Sequence, residues 1–165
     1  MIEPARIQAA IEILEQVASS LSGAGSSADV LIRKYFKTRR YAGSKDRRFV
    51  TNLVYQVIRD WGFLSDVSAG DIRKMILLSI GNADQFTGQD HAPELVTEEE
   101  QTFLSGSHER LPHQKLNYPL WLEDRLQKRF SADFDAELDS LNGRAPFELR
   151  VNVGKTTRAK VEDFL

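Results

Sequence analysis

The chain has 165 residues, 41% of them hydrophobic and 28% charged, with a formal net charge of −2. That length and apolar content suffice for one sizeable core or for a main domain with an appendage, and the near-neutral balance excludes a polybasic nucleic-acid coat and an acidic disordered tail alike. The absence of cysteine excludes disulfides, thiolate metal sites and cysteine nucleophiles, and fits a reducing compartment.

From residue 4 to residue 21, Ile7, Ala10, Ile11, Leu14, Val17, Ala18 and Leu21 recur at three- and four-residue spacing, which predicts an amphipathic helix with Pro4 in its first turn. A Ser/Gly stretch over residues 22–27 ends it, and a second helix starts near Asp29, carrying Val30, Leu31, Ile32, Tyr35 and Phe36. After a turn at Ala42-Gly43, Ser44 is the expected N-cap of a central third helix running through Phe49, Val50, Leu53, Val54, Val57, Ile58 and Trp61, weakened at Gly62. Ser68 with Asp71 resembles a capping-box start for a fourth helix, whose apolar residues Ile72 to Ile80 stop at Gly81. Thr97 with Glu100 repeats the capping pattern ahead of Phe103 and Leu104.

Residues 105–117 mix Ser, Gly, Pro and His without periodicity and read as a connector. Pro119, Trp121, Leu122, Leu126 and Phe130 then make one helix, and Phe134, Leu138 and Leu141 a shorter one that ends at Asn142-Gly143. Beyond Ala145-Pro146 the period changes to two. Phe147, Leu149, Val151 and Val153 alternate with Glu148, Arg150 and Asn152, the pattern of a half-buried strand, before a turn at Gly154 and a last helix capped by Thr157 with Val161, Phe164 and Leu165 inside. One strand cannot form a sheet, so a second domain is expected to begin near residue 145 and to be incomplete here. The longest strongly apolar run, residues 75–80, is too short for a membrane span, and the amino end lacks a signal-peptide core; a cytoplasmic protein without membrane contact is expected.

The segment from residue 33 to residue 48 stands out. Arg33, Lys34, Lys37, Arg39, Arg40, Lys45, Arg47 and Arg48 against Asp46 alone give this window +7, so the rest of a chain of net −2 carries −9. Such a patch can hold phosphate backbones with release of counterions, and Tyr41 could stack on an unpaired base. The same residues also fit the solvated faces of two helices and their turn, with Arg39 and Arg40 complementing a helix C-terminus and Asp46 a helix N-terminus. These eight cations are the candidate RNA-binding residues. His91, His108 and His113 are too irregularly spaced for a zinc site, so no metal is expected. Gly23-Ala24-Gly25 follows a helix and is a linker rather than a dinucleotide loop. No Ser/His/Asp arrangement is recognisable, and no residue is assigned a catalytic role.

Two blocks carry a family resemblance. Tyr41-Ala42-Gly43-Ser44-Lys45-Asp46-Arg47-Arg48-Phe49-Val50 through Leu53-Val54-Tyr55-Gln56-Val57-Ile58-Arg59 resembles the central helix of the NusB-like domain that opens the Sun/RsmB RNA methyltransferases. Tyr118-Pro119-Leu120-Trp121-Leu122, then Leu141-Asn142, Ala145-Pro146 and Leu149-Arg150-Val151-Asn152, resembles the junction at which those enzymes enter their methyltransferase portion. The resemblance implies an all-α NusB-like bundle over residues 1–117, connecting helices over 118–144, and over 145–165 the incomplete start, one βα unit, of an RRM-like or ferredoxin-like subdomain. It further implies a cytosine-5 ribosomal RNA methyltransferase as parent, using S-adenosylmethionine and two cysteines. With no cysteine and no cofactor-binding βα repeat here, the chain is expected to be a non-catalytic module without a cofactor of its own, partnered by ribosomal RNA and by the parent's methyltransferase domain. Two alternatives remain: a NusB-type antitermination factor, and a structural domain that docks on its own methyltransferase core.

Overall fold

Helix α1 (Glu3–Leu21) organises the fold because it is apolar over more than one stripe: Ile7, Ala9, Ala10, Ile11, Ile13, Leu14 and Val17 are all buried. In the computed structural model, which describes residues 1–21, 23, 25–143 and 148–164, it packs against α2 (Ala28–Thr38), α3 (Ser44–Arg59) and α5 (Ile72–Ile80). Small residues at Ala9 and Ala10 allow close approach of the neighbouring helices, whose spacing depends on the side chains at the contact. Val50, Val54 and Val57 from α3 and Met75, Ile76 and Leu77 from α5 are fully buried in the same core. Regular structure among the described residues is helical throughout.

The third expected helix is two helices. α3 ends at Arg59, and α4 (Trp61–Ser68) follows after Asp60, burying Phe63 and Leu64. Asp60 marks the joint, its carboxylate accepting two hydrogen bonds from the Arg110 guanidinium, which also lies 4.1 Å from the Phe63 ring centroid. Ser68 belongs to α4 and does not start α5. Ala69 and Gly70 take left-handed φ of 53° and 79°, which no helix can continue, and Asp71 instead caps α5 by accepting from the N–H groups of Arg73 and Lys74. Gly81, at φ 71°, ends α5 as its sequence suggested. The Thr97–Glu100 capping box also forms at the start of α6 (Glu98–Ser105).

Loops are tied down by long-range polar contacts. The Arg73 guanidinium reaches Glu100 and the carbonyls of Glu94 and Leu95 and covers the buried Phe86 ring at 4.7 Å. Burial alone would raise the Glu100 carboxyl, but the Arg73 hydrogen bond and the Thr97 N–H hold it below the usual carboxylate range. The connector expected over 105–117 contains one helical turn, α7 (Pro112–Lys115), whose buried Gln114 donates to Asp66 at 2.6 Å.

Past residue 117 the packing changes. The expected Pro119-to-Phe130 helix begins as a 3-10 turn (Leu120–Leu122) and becomes α8 (Glu123–Phe130), with Trp121 73% exposed rather than inside. A second 3-10 turn (Ser131–Asp133) leads to α9 (Phe134–Asn142), which packs on α8. Tyr118 and Leu138 are buried, and Tyr118 meets Phe134 edge-on at 5.6 Å. The expected strand does not form among the described residues: 148–153 pairs with nothing, Leu149 and Val153 are exposed, and Phe147 lies outside the described residues. A strand needs a partner to satisfy its backbone, and no other stretch among the described residues supplies one. The turn at Gly154 and the Thr157 cap of α10 (Arg158–Glu162) are present, but Phe164 is 90% exposed instead of facing inward; Leu165, Ala145 and Pro146, like Ser22 and Ala24 of the first linker, are outside the described residues.

Candidate nucleic-acid interface

The basic segment spans the end of α2, a short turn and the first turn of α3. On α2, Leu31, Ile32, Tyr35 and Phe36 face the core, which leaves Arg33, Lys34 and Lys37 together on the opposite, exposed face. The turn is anchored from below. Ala42 is buried, its N–H donates to the Arg39 carbonyl at 3.1 Å, and the next residue, Gly43, is the N-cap of α3 in place of the expected Ser44.

Asp46 is the anchor. Its buried carboxylate accepts from the Met1 ammonium at 3.0 Å, from Arg6 Nε at 2.8 Å and from the Gly43 N–H at 3.0 Å. The Met1 ammonium foremost, against the opposing effect of burial, holds this carboxyl below the usual carboxylate range, with Gly43 and Arg6 assisting. The residue expected merely to complement a helix dipole thus joins the start of α1 to the turn. That contact fixes the backbone from which Arg40, Tyr41, Lys45, Arg47 and Arg48 project, all of them exposed.

The eight candidate cations differ in what they already hold. Arg33 pairs with Asp29 at 3.3 Å in a solvent-exposed i, i+4 contact of little energetic weight. Arg39 is committed more deeply: it donates to Glu12 at 3.1 Å, and its guanidinium lies 3.7 Å from the Tyr35 ring centroid. Tyr35 donates its hydroxyl to the same Glu12 oxygen at 2.7 Å, and burial together with that carboxylate pushes the phenol strongly up, so it remains a donor. Arg47 donates to the Ala42 carbonyl at 2.9 Å and has no carboxylate partner among the described residues. Among the described residues, Lys34, Lys37, Arg40, Lys45 and Arg48 make no ion pair or hydrogen bond through their side chains and are free to meet an anion.

Sequence reasoning named the cations but missed Glu12, which meets Arg39 from α1, and Gln8, which donates to Glu12. Only the α1–α2 packing brings residues 12, 35 and 39 together, and no local motif signals it. The three histidines lie in different places: His108 bonds the Phe103 carbonyl at 2.8 Å, His113 packs near Tyr118, and His91 lies near α1. Among the described residues no group of three or more His, Cys, Asp or Glu could hold a metal ion, and no helix is long and apolar enough to cross a membrane.

A family described as the RsmF/B-like methyltransferase, ferredoxin-like domain matches residues 118–165. No curated protein and no solved structure matches the chain. The matched stretch takes in α8 and α9 as well as the tail, and it contains the second of the two sequence blocks described above. Over those residues the chain is similar to a domain of rRNA methyltransferases of the RsmF/B type. The first block, residues 41–59, lies outside the match.

Proposed function

We propose that this chain is a non-catalytic RNA-binding module of a ribosomal RNA cytosine-5 methyltransferase, with a NusB-like helical domain holding rRNA by its phosphates for an S-adenosylmethionine-dependent domain outside residues 1–165. The observation that carries the reading is the set of cations without a partner among the described residues on the outer face of α2 and the start of α3: Lys34, Lys37, Arg40, Lys45 and Arg48, on a turn locked by Asp46. A polyanion is attracted along this face and repelled by the acidic remainder. The chain's own contribution is binding and orientation, since it has no cysteine to add to a cytosine ring.

Salt dependence tests the reading. Each phosphate neutralised on single-stranded RNA contributes about −0.7 to the slope of log affinity against log salt. Replacing Lys37, Arg40 and Arg48 together with glutamine should flatten that slope by about 2 units in an anisotropy titration with rRNA fragments. An unchanged slope in a variant that melts like the parent removes the site assignment.

A second reading has its own observation. Leu120, Trp121 and Leu141 are exposed on the segment that matches the methyltransferase family, which suits a domain that docks on its own catalytic core. Tight association with the isolated core together with no RNA binding favours that reading.

A further inference from the structure

Beside the basic face lies a cleft of about 580 Å³, formed by the start of α1, the end of α2 and the turn at residues 90–91. Arg39 and Tyr41 line it, while Arg40 between them is exposed and unpartnered. The segment that offers a cation to a phosphate therefore also contributes two side chains to an adjacent recess. Its size falls within the roughly 300–1,000 Å³ of small-molecule sites. Ile2 and Ala5 give it apolar wall, and Tyr41, 71% exposed, gives it an aromatic ring at the surface.

The polar groups of the cleft decide what it accepts. Glu12 and Asp90 line it together with His91, the Arg39 guanidinium, which Glu12 already neutralises, and Met1, whose ammonium is held by Asp46. A phosphate is disfavoured there. Hydrogen-bond donors are favoured: Glu12 Oε2 is used by Tyr35 and Arg39, but among the described residues Oε1 accepts only from Gln8 Nε2, at 3.2 Å, and retains a lone pair. The Gln8 carbonyl oxygen, neighbouring it on the same helix, has no partner among the described residues. The cleft thus offers two adjacent acceptors. Among the four RNA bases, guanine alone presents two adjacent donors, N1–H and N2–H, on its Watson–Crick edge, the edge read when a base is unpaired.

We propose that this cleft is a base-binding subsite of the RNA-binding face: an unpaired guanine enters it, stacks on Tyr41 and donates to Glu12 and Gln8, while the flanking phosphates lie on Arg40 and Lys37. The assignment rests on the RNA-binding reading above and adds to it a base preference that a phosphate face alone lacks.

The test uses the full chain and three fluorescein-labelled heptamers, U3GU3, U7 and a U3-abasic-U3 oligomer. U3GU3 should bind about tenfold more tightly than the other two, the effect of one stacked and hydrogen-bonded base. Tyr41→Ala should bring U3GU3 down toward the U7 affinity while leaving the salt slope unchanged, and Glu12→Gln, which also releases the Arg39 guanidinium, should remove the preference for U3GU3 over U7. Tyr41 is exposed, so its removal does not threaten the fold. Equal, salt-dependent binding of all three oligomers overturns the subsite and leaves the phosphate face standing. No binding of any oligomer at low salt overturns both.

Discussion

Residues 1–105 and residues 118–164 use similar side chains to different ends. In the first region the apolar residues of α1, α2, α3 and α5 find one another, and Leu14, Val54 and Met75 lose all contact with solvent. In the second, Tyr118 and Leu138 alone are buried among the described residues, while Leu120, Trp121, Leu141, Leu149, Val153 and Phe164 stay exposed. The difference is one of partners rather than of composition. A helix satisfies its own backbone and needs only one apolar face to pack, so four or five helices can close a core among themselves. An alternating strand needs neighbours for its backbone and for its apolar face, and residues 148–153 have none among the described residues.

Core truncation tests that comparison with the largest expected effect. Leu14→Ala should cost about 3 kcal/mol by removing a fully buried side chain and leaving a cavity, whereas Leu149→Ala should change stability by less than about 0.5 kcal/mol. Urea denaturation reads both. A cost at Leu149 comparable with that at Leu14 shows that the tail packs in solution, which breaks the distinction between the two regions.

The loop ties come next. Arg73→Ala should cost about 2 kcal/mol, because it strands the buried Glu100 carboxylate and uncovers Phe86. Its pH dependence has a definite sign. The Glu100 carboxyl is held below its ordinary 4.5 in the folded protein, so the stability it contributes is full above about that pH and is lost as pH falls through the folded value. Asp46, held below its ordinary 3.8, behaves likewise. Without Arg73, burial favours a protonated Glu100, so the stability gap between parent and variant should narrow as pH drops below about 4.5. A gap independent of pH between 7 and 3.5 assigns the loss to packing on Phe86 alone.

Thr97→Ala gives a smaller effect, about 1 kcal/mol, through loss of the N-cap of α6. The Thr97 cap belongs to what sequence alone made legible, as do α1, α2 and the stop at Gly81, because each signal lies within one turn of the residue it governs. The break at Asp60 was not legible: its partner Arg110 is fifty residues away in a stretch without periodicity. The start of α5 was misplaced by three residues because Ser68 and Asp71 are equally good caps, and only the left-handed backbone at Ala69 and Gly70 decides between them. At the candidate site, the cations were legible as a run of charge. Their division into committed Arg39 and uncommitted Arg40 was not, since Glu12 reaches Arg39 only through helix packing.

The smallest expected effect comes from the largest deletion. Ending the chain after Gly143 removes the exposed Leu149, Val153 and Phe164 and the short α10, none of which is buried in the helical core. Asn142, the last residue of α9, remains, and with it the hydrogen bonds from its amide to the Leu116 and Leu138 carbonyls, so the α8–α9 hairpin keeps its attachment. The melting temperature should therefore shift by no more than a few degrees, the scale of roughly 1 kcal/mol in a domain of this size. RNA affinity and its salt slope should be unchanged, because every cation assigned to the interface lies before residue 49. A larger thermal shift with unchanged RNA binding means that the tail packs on the hairpin, and the boundary between self-sufficient and partner-dependent structure then moves toward the carboxyl end. A weakened RNA affinity at unchanged stability instead brings Arg150, Lys155 and Arg158 into the interface, and the two regions become parts of one binding surface.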